Sequence, residues 1–213
     1  ITNKSDILIY MSSSLTYKKI ANYVFNLADD TLRGSFRRHE YGNVIIPFTV
    51  LKRLDSILEP DKQNIIDLYK KWKTKSKNYE EIILNKSKVN FLNYSNFSLD
   101  VLKKDHQNIK RNFTKYLDSF SENVKDILQN FEIPKIVEKL DRTDRLYGVI
   151  SKFSAMDLSP KSVSNHEMGL LFEEVLRFSN ELANETSGEH VTKLNDSNTD
   201  AFKNLNLQSV VAA

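Results

Sequence analysis

The chain has 213 residues, 31 of them basic and 28 acidic, with five Gly, four Pro and no Cys. Without cysteine there is no disulfide framework, thiolate metal site or thiol nucleophile, and so few Gly and Pro argue against an all-β fold rich in tight turns. A net charge of +3 is too mild to define a polyanion partner by itself, and at about 150 residues per domain the length fits one domain, or one with part of a second.

From Tyr17 to Arg33, the residues Ile20, Tyr23, Val24, Leu27, Thr31 and Leu32 recur at steps of three and four, which predicts a helix with one buried face. Gly34 follows as a left-handed stop. Glu40 to Leu58 repeats the period through Val44, Phe48, Leu51, Leu54 and Leu58, with Pro47 marking a helix start or a kink. Asp61 to Trp72 presents Ile65, Leu68, Tyr69 and Trp72 on a third helical face. The period breaks over 85–98, an Asn/Ser/Lys stretch that reads as a long loop with one short extended piece. It resumes at Ile109, Phe113, Tyr116, Leu117 and Phe120. Ser121 caps a further helix with Glu122 in its first turn. Pro134 opens the next, through Ile136, Val137 and Leu140, and Leu146, Val149, Ile150 and Phe153 make another. Ser164 and Glu167 form a capping box ahead of the stripe Met168, Leu171, Phe172, Val175, Leu176, Ser179 and Leu182. Residues 193–213 are polar, with few large apolar side chains. The fold class is therefore all-α: a bundle of roughly seven to nine helices with one long Asn/Ser-rich loop and a weakly structured C-terminal tail.

Most catalytic constellations are missing. Asp29 and Asp30 are adjacent on a helix and point about 100° apart, so they do not share a proton. His39, His106, His166 and His190 never fall at the four-residue step that lets two imidazoles hold a metal. The glycines Gly34, Gly42, Gly148, Gly169 and Gly188 are too scattered to build a phosphate-cradling loop. Basic blocks are the positive signal. Lys70-Lys71-Trp72-Lys73-Thr74-Lys75-Ser76-Lys77 is one, Arg33, Arg37 and Arg38 a second, and Lys103, Lys104, Lys110 and Arg111 a third. Cationic side chains gain free energy at a polyanion by releasing its counterions, and the same blocks also fit an ordinary solvated helix face. The candidate contacts with double-stranded DNA are Arg37, Arg38, Lys70, Lys71, Lys73, Lys75 and Lys77. No run approaches about 18 apolar residues and the start lacks the shape of a signal peptide, so a cytoplasmic chain with no membrane contact is expected. A first residue of Ile rather than Met leads us to expect a piece of a longer protein.

Several ordered stretches carry a resemblance. They are Ile20-Ala21-Asn22 with Leu27-Ala28-Asp29-Asp30-Thr31-Leu32-Arg33-Gly34, then the run from Glu40-Tyr41-Gly42-Asn43 to Lys52-Arg53-Leu54-Asp55. Next come Ser119 to Ile127, Val163-Ser164-Asn165-His166-Glu167-Met168-Gly169-Leu170-Leu171-Phe172-Glu173-Glu174, and Asn184-Glu185-Thr186-Ser187-Gly188-Glu189-His190. Together they resemble, over residues 17 to 192, the N-terminal helical region of the modification subunit of type I restriction–modification systems. The resemblance implies a subunit that methylates adenine N6 with S-adenosylmethionine, on a base taken out of the stack. It implies a specificity subunit and a second modification subunit as partners, with a restriction subunit as an optional addition, closing around duplex DNA.

The resemblance also carries a cofactor region onto Glu189, His190, Val191 and Thr192, after which Lys193-Leu194 stands where the family has Pro-Arg. Neither the family's Asn-Pro-Pro-aromatic motif nor a glycine-containing cofactor loop occurs in this sequence, so this chain alone is expected to bind no cofactor and to transfer no methyl group. The expected organisation is an N-terminal extension over 1–16, a helical domain over 17–188, and over 189–213 a junction to a catalytic domain with a divergent tail. The expected work is subunit assembly and DNA clamping. The alternative is a stand-alone helical module, without enzymatic activity, that binds protein or the DNA backbone.

Overall fold

The computed structural model describes residues 4–186, with side chains from 17 to 182 and at Asn184. The described residues form α1 (Lys4–Leu32), α2 (Tyr41–Leu58), α3 (Lys62–Trp72), α4 (Tyr79–Leu84) and α5 (Leu99–Leu102). After these come α6 (Ile109–Asp118), α7 (Glu122–Asn130), α8 (Ile133–Arg142), α9 (Leu146–Ser154) and α10 (Asn165–Thr186). Short 3-10 turns at Arg38–Glu40, Glu59–Asp61 and His106–Asn108 lead into α2, α3 and α6. The fold is all-α. The Asn/Ser-rich stretch supplies the one isolated bridge among the described residues, Asn93 against Phe120.

The helix α1 begins at Lys4 rather than Tyr17, so residues from 4 to 16, expected as an extension, belong to the same helix as the domain. Its stop is as expected: Gly34 has φ +80°, and the Ser35 and Phe36 amides turn back to the Leu32 carbonyl at 3.1 and 3.0 Å. Tyr23, expected on the buried face, is 39% exposed, while Ala21 and Ala28 are buried. Both α10 and α9 pack against α1, with Phe25 stacked on Phe178 at 3.7 Å.

All of α2 except Asn43 is buried, which makes it the central helix rather than an amphipathic one. Pro47 neither starts it nor ends it. Proline cannot donate to the carbonyl four residues back, and here that carbonyl belongs to Asn43, the exposed position of the helix. Phe48 of α2 meets Phe113 of α6 at 5.6 Å and Phe153 of α9 at 5.5 Å. At its other end α2 crosses α10 so closely that a Cβ on Gly42 would lie 2.7 Å from Ser179 Oγ. Overlap of that kind has to be relieved by backbone or side-chain shifts.

Residues 85–98 form a packed strap. Phe91, Leu92 and Asn93 are fully buried, the Tyr94 amide donates to the Ser119 carbonyl, and the Ser121 amide donates to the Leu92 carbonyl, each at 2.9 Å. Ser121 does precede α7, but its hydroxyl makes no cap bond. It accepts from the Leu92 amide at 3.0 Å and donates to Asn123 Oδ1 at 2.7 Å, while Asn123 Oδ1 takes the Val124 amide at 3.0 Å. The capping box of α10 is present as expected, with the Ser164 amide on Glu167 Oε2 at 2.8 Å and the Glu167 amide on Ser164 Oγ at 3.3 Å.

Three charged residues of α2 lie inside this core. Arg53 is wholly buried; its Nη1 donates to the carbonyls of Leu158 (2.7 Å) and Val163 (2.8 Å), and its Nη2 to Asn165 Oδ1 (2.7 Å). Lys52 Nζ reaches the Ser154 carbonyl at 3.2 Å. Asp55 accepts from the Leu99 amide at 3.1 Å and the Tyr116 hydroxyl at 3.2 Å. Beside them Lys62 Nζ donates to Asn93 Oδ1 at 2.8 Å, and Asn93 Nδ2 donates to the Tyr116 carbonyl at 2.9 Å. Burial pushes the Lys62 ammonium down to about 8, raises the Asp55 carboxyl, and holds the Tyr116 hydroxyl well above its ordinary range with Asp55 adding to the effect.

Candidate nucleic-acid interface

The Lys70–Lys77 block sits where α3 ends and turns into α4. Ile65 and Ile66 bury one side of α3, which leaves the lysines on the other, at the helix end whose dipole favours cations. The chain then reverses through the Lys75 and Ser76 amides, both bonded to the Trp72 carbonyl at 3.0 and 3.1 Å. The Asn78 amide donates to Ser76 Oγ at 3.2 Å just before α4.

Lys70, Lys71, Lys73, Lys75 and Lys77 are all exposed. Lys70 has a loose acidic neighbour, Asp67 at 3.9 Å with both side chains well exposed, a pairing of little strength in water. Lys71 and Lys73 lie against rings instead, Nζ being 5.8 Å from the Trp72 centroid and 4.9 Å from that of Tyr69. A hydrogen bond with the Tyr69 hydroxyl raises the Lys73 ammonium above its ordinary range. Lys73, Thr74, Lys75, Ser76, Lys77 and Tyr79 together line a shallow groove of about 450 Å³. Its lining holds ammonium and hydroxyl groups and no carboxylate.

The other basic blocks sit on different elements. Arg37 and Arg38 are exposed just before the N-terminal end of α2, whereas the lysine turn follows α3. Beside Arg37 the Glu40 carboxylate is already engaged. The Arg37 amide donates to Glu40 Oε2 at 2.8 Å, and Glu40 Oε1 accepts from Lys139 Nζ at 2.8 Å. Burial works against the Glu40 carboxylate, but Lys139 and the Arg37 amide outweigh it and hold its pKa below the usual range. In the third block Lys103 pairs with Asp100 at 2.6 Å and Lys110 with Asp141 at 3.0 Å; Arg33 pairs with Asp29. Among the described residues the lysine turn is thus the block with the most unneutralised positive charge.

Glu189, His190, Val191 and Thr192, the carried-over cofactor region, lie outside the described residues, as does all of 189–213. His106 packs edge-on against Tyr147 at 4.4 Å. Among the described residues no helix is long and apolar enough to cross a membrane.

Two sets of residues escaped the sequence reading. One is the buried polar centre around Arg53, Asp55, Lys62 and Asn93. Its signal is charge falling between the apolar positions Leu51, Leu54 and Leu58 of a helix that has no polar face. The other is the ring group Tyr69, Tyr79 and Tyr94. Tyr79 and Tyr94 are too far apart in sequence to show any period.

A family model described as the HsdM N-terminal domain matches residues 20–153. None of the curated proteins and none of the solved structures compared with the chain matches it.

Proposed function

This chain belongs to the HsdM N-terminal domain family, the N-terminal region of the modification subunit of type I restriction–modification systems, and on that premise we propose that it serves assembly of the complex and grips the DNA backbone through its lysine turn. The observation that carries the reading is the set of exposed lysines at 70, 71, 73, 75 and 77, which have no strong acidic partner, with Lys73, Lys75 and Lys77 lining a groove without carboxylates. Such a surface meets phosphates of any sequence, and each phosphate neutralised releases counterions. Backbone contacts position a protein on the duplex without reading it, which fits a family in which another subunit supplies specificity.

Arg37 and Arg38 stand just before α2, next to the surface where α10 crosses the 3-10 turn at Arg38–Glu40. We assign that surface to contacts with the specificity subunit or the second modification subunit, and only secondarily to DNA. Methyl transfer and S-adenosylmethionine belong, on this reading, to the rest of the modification subunit. The chain alone has no turnover.

The test uses the modification subunit reassembled with its specificity subunit, carrying Gln at 70, 71, 73, 75 and 77. The complex should form normally and bind non-specific duplex more weakly, with a flatter dependence of log K on log salt by about 0.9 for each phosphate no longer neutralised. Unchanged affinity and slope would remove the DNA reading. They would leave the chain as a helical interaction module, the second reading, for which loss of assembly on substituting Arg37 and Arg38 is the expected sign.

A further inference from the structure

A lysine on an open surface samples many rotamers, and holding it in one bound geometry costs side-chain entropy. One lysine of the turn is already held. Lys73 Nζ stands 4.9 Å from the Tyr69 ring centroid, and the Lys73 amide donates to the Tyr69 carbonyl at 2.9 Å. Tyr69 is stacked on Tyr94 with centroids 4.3 Å apart and planes 17° from parallel. Tyr79 meets both edge-on, at 5.7 and 5.9 Å, and lines the groove beside Lys73, Lys75 and Lys77. Tyr94 belongs to the buried strap, whose Asn93 is bonded to Lys62 and to the Tyr116 carbonyl. The three rings therefore form a bench fixed to the core at one end and carrying a lysine at the other.

We infer that Tyr69 is a positioning residue for phosphate contact: its ring holds the Lys73 ammonium at the groove, so that a phosphodiester arriving among Lys73, Lys75 and Lys77 meets a charge already in place. The inference rests on the proposed DNA contact and names the group that shapes it. The face of the π-system attracts the cation, and the Tyr69 hydroxyl, which raises the Lys73 ammonium, adds to the hold.

The full chain is titrated with a random-sequence duplex by fluorescence anisotropy at several salt concentrations. Tyr69→Leu should weaken binding about two- to fivefold with an unchanged salt slope, because the number of charges stays the same. Tyr69→Phe, which keeps the ring and removes the hydroxyl, should lose less affinity than Tyr69→Leu. Lys73→Gln should reduce the slope by about 0.9, and the Tyr69→Leu, Lys73→Gln pair should bind no more weakly than Lys73→Gln alone. A second readout needs no DNA: the Lys73 Cε protons should be shifted upfield by the ring in the unsubstituted chain and in Tyr69→Phe, and not in Tyr69→Leu. Additive losses in the paired variant would overturn the positioning role while the DNA reading stands. So would normal affinity in Tyr69→Leu when Lys73→Gln binds poorly, or an unshifted Lys73 resonance in the unsubstituted chain. Normal affinity in Lys73→Gln, Lys75→Gln and Lys77→Gln alike would remove the DNA reading, and this inference with it.

Discussion

Lys52-Arg53 and Lys70-Lys71 look alike as sequence, two adjacent cations on a helix, and they have opposite fates. Lys52 is 6% exposed and Arg53 is not exposed at all, whereas the Lys70 side chain is 66% exposed. The difference lies in the helix around them. In α3 the apolar residues keep to one side and leave a face on which a lysine remains in water. In α2 they go all the way round, so the charge has to find carbonyl and side-chain oxygens inside the protein. A cation in the central helix acts on the fold; one on an amphipathic helix is left available to a ligand.

Four measurements can break or sharpen that contrast. The largest effect belongs to Arg53→Met, which strands the Leu158 and Val163 carbonyls and Asn165 Oδ1. It should cost about 3 kcal/mol in chemical denaturation, and a loss under about 1 kcal/mol would show that the guanidinium is not an anchor. Next comes Lys62. Its pKa is about 8 in the fold against an ordinary 10.5, so between those values the unfolded chain binds the extra proton. Stability from this group therefore rises with pH through that window. Thermal unfolding should show a gain of about 1 kcal/mol between about pH 8 and 9, below the range where tyrosines of the unfolded chain ionise. Lys62→Met should flatten the profile; an equally steep profile in the variant would assign the effect elsewhere. Tyr116→Phe removes a hydroxyl donor from buried Asp55 and should cost about 1 kcal/mol, read from the denaturant midpoint. Smallest is the combined Lys→Gln change at 70, 71, 73, 75 and 77. Unfolding should shift by no more than about 0.5 kcal/mol, while the salt slope of DNA binding falls steeply. A large loss of stability there would make the lysine turn a structural element after all.

The long apolar stripes were legible in the sequence. The period of Met168 to Leu182 and its capping box gave α10 its start within a residue, and Gly34 marked the end of α1. The four-residue helix α5 and the six-residue α4 escaped, because one turn of helix contains no repeat to detect. Pro47 stands inside α2 rather than at its start, where the carbonyl it cannot reach belongs to Asn43, the exposed position of the helix. At the candidate site, composition marked the lysine block correctly as exposed charge. It did not distinguish that block from Lys110, which pairs with Asp141 in α8; pairing between helices depends on tertiary contacts and leaves no local trace. The pairing of Arg33 with Asp29, one turn earlier on α1, was within reach of helical spacing.

The Arg53 anchor also sets an order of events as the chain is made. Its partners at 158, 163 and 165 follow it by 105, 110 and 112 residues, beyond the span 20–153 that the family model matches. Until that segment has emerged, the Arg53 guanidinium lacks these three partners. A nascent chain halted at Ser154 should exchange its α2 amides faster than one extended through α10. The buried core runs past the family signature, through Val163, Met168, Leu171 and Val175.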